Sequence, residues 1–405
     1  MRKLASYLRS ATHNIYYNKT YALFYIAGTA ITFIFIIIVL QISHLIQYAA
    51  PPFTNVARTI HISEFCDYRG EDIGGIEVQD IDNLIATTYG ADSYSISNIE
   101  SVNADINGKI RPINANFVNV AYFNINEFNF ISGQAFSADI DAAQQAIITK
   151  DLAINYYQNE ALGKKIEIQG IKYTVIGVVD NYSSLLNPHE QANVWLPCKY
   201  NKFVPSGGSF YAIDILFREN MSTIEMKNNL SHALTQYFSS KGQDINLGSN
   251  TLLTIQEDKE KLLGGGKLIY GVVIIIFLLL AIPAINIMTL SMANVYNRAT
   301  EIAIRRALGA DKMASFTQII VENLILVFVG LIIALILIFP TFKIIERIFF
   351  TISYSSSFLT SSSISWTVIL LTILLAILYT ILSGGIPAYS ISNKNIVNTL
   401  KGEVQ

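Results

Sequence analysis

His61, Glu64 and Cys66 lie close enough together for an imidazole, a carboxylate and a thiolate to imitate a set of metal ligands. A cluster of this kind at a strand edge is far more often structural than metal-binding. The other histidines, His13, His44, His189 and His232, are scattered. Hydrolytic chemistry lacks its usual scaffolds, since there is no His-Glu-x-x-His and no Gly-x-Ser-x-Gly turn. Gly264-Gly265-Gly266-Lys267 resembles the start of a phosphate loop, but such a loop ends in Lys followed by Ser or Thr, and here Leu268 follows. The triplet reads as a hinge. Glu322 is the one strong charge within an apolar run, too little for an ion relay; it either snorkels to the interface or pairs with a basic residue there. The chain is therefore expected to be no enzyme and to bind no metal or cofactor itself.

The stretch with the most organised chemistry is polar and short, residues 298–310, Arg-Ala-Thr-Glu-Ile-Ala-Ile-Arg-Arg-Ala-Leu-Gly-Ala. Glu301 and Arg305 stand four apart, acid first, which favours a helical turn by about 0.2–0.5 kcal/mol. Ala303, Ile304, Ala307 and Leu308 gather on one side, and Gly309 can take the left-handed conformation that stops a helix. Asp311 can cap the next helix. Arg298, Arg305 and Arg306 would face the aqueous side. Plain positive-inside anchoring needs the arginines but neither the apolar face nor the glycine stop, so the stretch reads as a surface offered to a partner.

Four apolar runs position this stretch. The chain has 405 residues, 52% hydrophobic and only 14% charged, where a soluble protein carries nearer a quarter charged. The expected spans are residues 21–46, 268–293, 316–340 and 364–386, each long enough to cross about 30 Å of hydrocarbon. Arg2, Lys3, Arg9 and Lys19 before the first run, and Arg298, Arg305, Arg306 and Lys312 after the second, place both termini and the loop 294–315 in the cytoplasm. Residues 1–20 read as a cytoplasmic interfacial helix, 341–363 as a short periplasmic loop and 387–405 as a cytoplasmic tail. The first run exceeds a signal-peptide core and is expected to be an uncleaved anchor. The lipid bilayer is the implied partner, and the near-neutral charge of −2 gives no hint of nucleic acid.

Residues 47–267 lie outside on this topology and change texture to short segments separated by Asn, Asp, Gly and Ser, as in a mixed α/β domain. The fold class is thus a membrane protein of four transmembrane helices, with a large mixed α/β periplasmic domain inserted between the first and second. Residues 78–88 and 223–239 read as helices. Residues 166–169 and 173–179 read as a hairpin turning at Gly170. Cys66 and Cys198 both fall outside, where an oxidising compartment permits a disulfide and where buried thiols are an equal alternative.

Four ordered motifs resemble the MacB/FtsX-type ABC transporter permeases. One is Asn286, Arg298, Glu301-Ile302 and Ile304-Arg305-Arg306-Ala307-Leu308-Gly309-Ala310, followed by a span with Glu322. Two lie outside: Gly133-Gln134-Ala135-Phe136 with Ala146-Ile147-Ile148, and Leu162-Gly163-Lys164-Lys165-Ile166 through Tyr173-Thr174-Val175-Ile176-Gly177-Val178-Val179. The last is Gly384-Gly385-Ile386-Pro387-Ala388 to Asn398-Thr399-Leu400-Lys401. The family's usual glycine after Glu-Ile is Ala303 here, and no ATPase domain precedes the first span.

This resemblance implies a type VII (MacB-like) permease subunit without a fused ATPase, in the bacterial inner membrane. It implies a separate ABC ATPase subunit in two copies that binds ATP and Mg, and a second permease copy or paralogue. A periplasmic adaptor and an outer-membrane channel would complete an exporter. Arg298, Glu301, Ile304, Arg305, Arg306, Leu308 and Gly309 would form the helix that couples to the ATPase. Mechanotransmission with export of a periplasmic substrate is the expected function; the alternatives are an FtsX-like regulator of a cell-wall hydrolase and a lipoprotein-extracting permease.

Overall fold

A computed structural model describes residues 17–62, 65–67, 72–106, 108–137, 144–183, 186–187, 189–198, 212–247, 251–262, 266–297, 304, 311–349 and 364–393. In chain order the elements begin with α1 (Lys19–Gln47), β1 (Thr59–Ile62), β2 (Phe65–Cys66), β3 (Asp72–Gly74), a 3-10 turn (Val78–Asp80) and α2 (Ile81–Thr87). There follow β4 (Ala91–Ile106), β5 (Lys109–Val118), α3 (Tyr122–Ile125), β6 (Phe130–Gly133), β7 (Gln145–Thr149), α4 (Lys150–Tyr157), β8 (Lys165–Ile168) and β9 (Ile171–Val179). The rest are β10 (Val194–Pro197), β11 (Ala212–Phe217), α5 (Thr223–Ser240), β12 (Leu253–Thr254), α6 (Ile255–Leu262), α7 (Gly266–Asn297), α8 (Lys312–Phe349) and α9 (Trp366–Asn393).

These divide into a helical unit and an α/β unit, the latter taking residues 45–266 and 343–363. In the helical unit, α1, α7, α8 and α9 are each long and apolar enough to cross a membrane. Side chains that offer no hydrogen bonds leave each backbone N–H and C=O to its neighbour four residues away, and in hydrocarbon the helix is the answer a single segment can give. Two expectations need correction. The sequence ends the third span at 340 and starts a loop, but α8 runs on through Pro340 to Phe349. The sequence also ends the fourth span at 386, yet α9 contains Pro387 and continues to Asn393. A proline inside a helix removes one backbone hydrogen bond, a loss that does not end a helix whose flanking residues are strongly apolar. The predicted interfacial helix over residues 1–20 lies outside the described residues up to 16, and the tail from 394 onward does so as well.

In the α/β unit one ten-stranded sheet runs β12-β1-β11-β4-β5-β10-β7-β9-β6, with β8 paired to both β4 and β9. Its spine is the antiparallel hairpin of β4 and β5, in register from Ser97–Val118 to Ile106–Lys109. Two pairings are parallel, β5 with β10 and β7 with β9. The long strand β4 feeds two cores at different points along its length, from residues of one parity. Val102, Ala104 and Ile106 join Ile113, Ala115, Phe117, Ile148, Ile166, Val175 and Leu196 in one. Ile96 joins Ile60, Ile213, Ile215 and Phe217 under α5 in the other. α5 begins with a reciprocal cap in which the Ser222 hydroxyl accepts from the Glu225 N–H while the Glu225 carboxylate accepts from the Ser222 N–H. It buries Met226, Leu230 and Leu234 at the spacing that the sequence shows. The β8–β9 hairpin turns through Gln169 and Gly170, both at positive φ, as a two-residue turn requires.

A third packed region lies on the sheet face away from Val194 and Leu196. Trp195, flanked in register by Asn116 and Ile147, meets the rings of Phe123, Phe128 and Tyr182, and Phe53 closes on Phe128 and Tyr182. Aromatic rings at such centroid separations attract beyond the area they bury.

Candidate functional site

Of the predicted coupling residues, Arg298, Glu301, Arg305, Arg306, Leu308 and Gly309 lie outside the described residues. Ile304 is described; it is helical and 48% exposed. Among the described residues this isoleucine has little cover.

The helices flanking this loop meet in polar contacts that the sequence did not single out. Asn323, on α8, is buried. Its Oδ1 accepts from the Tyr21 hydroxyl of α1 at 3.3 Å, and its Nδ2 donates to Ser291 Oγ of α7 at 3.4 Å. On α9, a Cβ placed on Gly384 would lie 2.4 Å from that Nδ2, so the amide occupies the space a side chain would need. Around this point Tyr25 and Ser383 share a hydrogen bond of 3.1 Å between α1 and α9. Gly330 of α8 allows Thr29 of α1 to approach, since a Cβ there would sit 2.8 Å from the threonine Cβ. Nearby Ile319 and Ala388 pack with Tyr296 and Phe316. Small residues and hydroxyls of this kind are how helices associate where lipid removes the hydrophobic driving force.

Glu322 stands beside Asn323. It is buried, and its carboxylate accepts from Gln318 Nε2 at 3.1 Å one turn earlier. The sequence draws attention to Glu322 by its charge and less to Asn323, which is uncharged yet also foreign to hydrocarbon. A polar side chain of either kind in an apolar run was the available signal.

Within the α/β unit, α6 and the final residues of α1 are bound together. Gln256 Nε2 donates to the Gln47 carbonyl at 3.2 Å, and Lys259 Nζ donates to the Leu45 carbonyl at 3.3 Å. Both acceptors belong to the last turn of α1, where carbonyls have no partner along the helix and the dipole favours a cation. Lys259 is fully buried, and desolvation lowers its pKa to about 8, against the opposing pull of Glu260. One residue earlier, Asp258 accepts from His189 at 2.6 Å. His189 stacks on His61, whose Nδ1 faces Asp214 on β11 at 2.7 Å.

The two imidazoles titrate in opposite directions. Burial lowers the pKa of His189 and the neighbouring His61 lowers it further, outweighing Asp258. Burial also opposes the charge on His61, but the Asp214 carboxylate overcomes it and the net shift is upward. Next in sequence, Glu190 is fully enclosed, and burial pushes its carboxyl up to about 7. Hydrogen bonds from Tyr122, Tyr182, Asn116 and the Ala192 N–H hold that shift back.

His61 bonds to Asp214, Glu64 lies outside the described residues, and no metal-holding group is found among the described residues. Cys66 has a described backbone only. Cys198 packs against both cores of the sheet.

Two family models match the chain in order. Residues 22–233 match the MacB-like periplasmic core domain, and residues 273–396 match the FtsX-like permease C-terminal domain. The probable syringafactin export ATP-binding/permease protein SyfD of Pseudomonas syringae pv. syringae is 23% identical over 276 residues, 65% of this chain and 41% of that protein. The macrolide export ATP-binding/permease protein MacB of Salmonella paratyphi A is 25% identical over 223 residues, 54% of this chain and 34% of that protein. The chain thus spans about two fifths or less of the length of these relatives. The periplasmic region of MacB from Actinobacillus actinomycetemcomitans aligns over 51% of this chain and 92% of its own, at 18% identity and a TM-score of 0.40.

Proposed function

The chain belongs to the family of ABC transporter permeases that join a MacB-like periplasmic core domain to an FtsX-like permease domain, and from that membership we propose that it is a mechanotransmitting exporter subunit. In this reading a separate ATPase, present in two copies, binds ATP and Mg and docks on residues 298–310. Closure of the ATPases displaces that stretch, and the spans carry the displacement to the α/β domain, which acts on a substrate already in the periplasm. Rigid helices with a docking surface at one end and a domain at the other are suited to relaying such a two-state change. A second permease copy completes the pair, both termini lie in the cytoplasm of a bacterial inner membrane, and a periplasmic adaptor with an outer-membrane channel receives the substrate. The names of the relatives, which specify export of macrolides and of syringafactin, favour export over regulation of a cell-wall hydrolase or lipoprotein extraction.

The observation that carries the reading is the ordered match of both domains, with the exposed Ile304 on the segment between α7 and α8. The test replaces Ile304 and Leu308 together with Asp. A buried anchor commonly contributes about 2 kcal/mol or more to an interface, and a carboxylate in its place adds an uncompensated charge. The double variant should insert normally, because the arginines and the spans are untouched, yet it should lose the ATPase on purification. Normal copurification with full activity in cells would overturn the reading.

A further inference from the structure

Asn323 reaches all three other spans from one position on α8: Tyr21 on α1 and Ser291 on α7 by hydrogen bonds, and Gly384 on α9 by direct contact. Its place along the chain gives this arrangement a purpose. Ser291 precedes the 298–310 stretch by seven residues, and Asn323 follows Asp311 by twelve. At 1.5 Å of rise per residue, about 10 Å and about 18 Å of helix separate the two contacts from the loop. A displacement of the loop enters the bundle through the ends of α7 and α8, because those are the helices it joins. Nothing covalent there connects it to α1 or α9.

We infer that Asn323 is the positioning residue that locks α7 to α8 next to the loop and hands their movement to α1 and α9. The inference rests on the proposed coupling at residues 298–310. The amide is buried within the bundle, where water is scarce, so its hydrogen bonds resist a sliding movement that apolar contacts alone would allow. Ser291 is completely buried, which leaves its hydroxyl no competing solvent. Gly384 adds a steric constraint. With the amide 2.4 Å from where a Cβ would be, α9 cannot shift toward α8 without displacing it.

The test uses the full chain with its copurified ATPase in lipid nanodiscs, with Mg and ATP as the added ligands. Hydrogen exchange over residues 40–47 reports the far end of α1, a helix the loop does not join, and phosphate release reports the ATPase. In the natural chain, ATP should change exchange in that segment. In Asn323→Leu, phosphate release should continue while the ATP-dependent change in exchange is lost, a separation that simple misfolding does not produce. Gly384→Ala, which pushes the amide aside without removing it, should act likewise. An ATP-dependent change of natural size in Asn323→Leu would overturn the inference.

Should Asn323→Leu fail to assemble, the mild variants Tyr21→Phe and Ser291→Ala decide. Each should diminish the exchange response, and the two together should diminish it no more than the stronger alone, because both act through one amide. A full response in both, or strictly additive losses, would overturn it. If the natural chain itself shows no response to ATP, the coupling reading fails. A thermal double-mutant cycle between Tyr21→Phe and Ser291→Ala then still measures whether Asn323 joins the helices, and additivity in it would overturn the remaining claim.

Discussion

The rings of His61 and His189 stack with centroids 3.8 Å apart and planes 16° from parallel, and each turns a nitrogen to a different carboxylate. Two imidazoliums cannot share that geometry without repulsion, so the pair holds one proton readily and a second reluctantly. The groups facing it are Asp214 on β11 and Asp258 on α6. Glu190 lies one residue beyond His189, and Lys259 lies one beyond Asp258.

Stability should therefore fall on both sides of the ordinary histidine pKa of about 6.5. His61 has a raised pKa, so its contribution is complete below about 6.5 and is lost as pH climbs through the raised value. His189 has a lowered pKa, so the folded chain resists a proton that the unfolded chain accepts, and stability falls as pH drops from about 6.5 through the lowered value. A tenfold change in proton affinity between the folded and unfolded chain corresponds to about 1.4 kcal/mol. Glu190, pushed up to about 7, adds a loss between the ordinary carboxylate range and that value in every variant, so the comparison is made between variants. Thermal unfolding of the full chain across this range should show His189→Gln flattening the acid side and His61→Gln the alkaline side. Unchanged curves in both would remove the stack as their cause.

Two glycines at positive φ should respond very differently to alanine. At Gly133 a Cβ would lie 2.0 Å from the Ile176 carbonyl oxygen and 2.8 Å from the Gly177 Cα, where β6 meets β9. Backbone on a paired strand has little room to retreat, so Gly133→Ala should cost about 3 kcal/mol or more. At Gly170 the same substitution meets open space and should cost about 1 kcal/mol, the backbone preference alone. Melting temperatures of the two variants in the full chain supply the measurement, and equal shifts would contradict the steric argument.

Topology can be read with one thiol. Ser239 is exposed near the end of α5, and Cys66 and Cys198 can be replaced by serine and alanine in a background chain. Ser239→Cys should then react in intact cells with a reagent that passes the outer membrane but not the inner one. Labelling seen only after the inner membrane is opened would reverse the proposed orientation.

What could be read in the sequence was what depends on neighbours along the chain. The spans follow from apolar runs, the α5 face from Met226, Leu230 and Leu234, and the β8–β9 turn from Gly170. The expected span limits at 340 and 386 fell short of the helices: α8 and α9 continue past Pro340 and Pro387, because the surrounding side chains decide whether one missing hydrogen bond matters. The polar centres stayed hidden for another reason. His61 meets Asp214 across 153 positions, and Tyr21 meets Asn323 across 302. No local pattern marks a pair whose members are brought together only by the completed sheet or the packed bundle. The proposed coupling stretch is the opposite case, marked in the sequence by the local spacing of Glu301, Arg305 and Gly309.

The bonds from Gln256 to Gln47 and from Lys259 to Leu45 mean that the α/β unit begins and ends at one fastened point. An insertion whose entry and exit are already tied to each other carries its own closure. Such an insertion can diverge in its strands and loops, or be exchanged for another of different specificity, while the helices that receive it keep their sequence. Lys259, bonded to Leu45, marks the joint at which chimaeras of these permeases would be cut and joined.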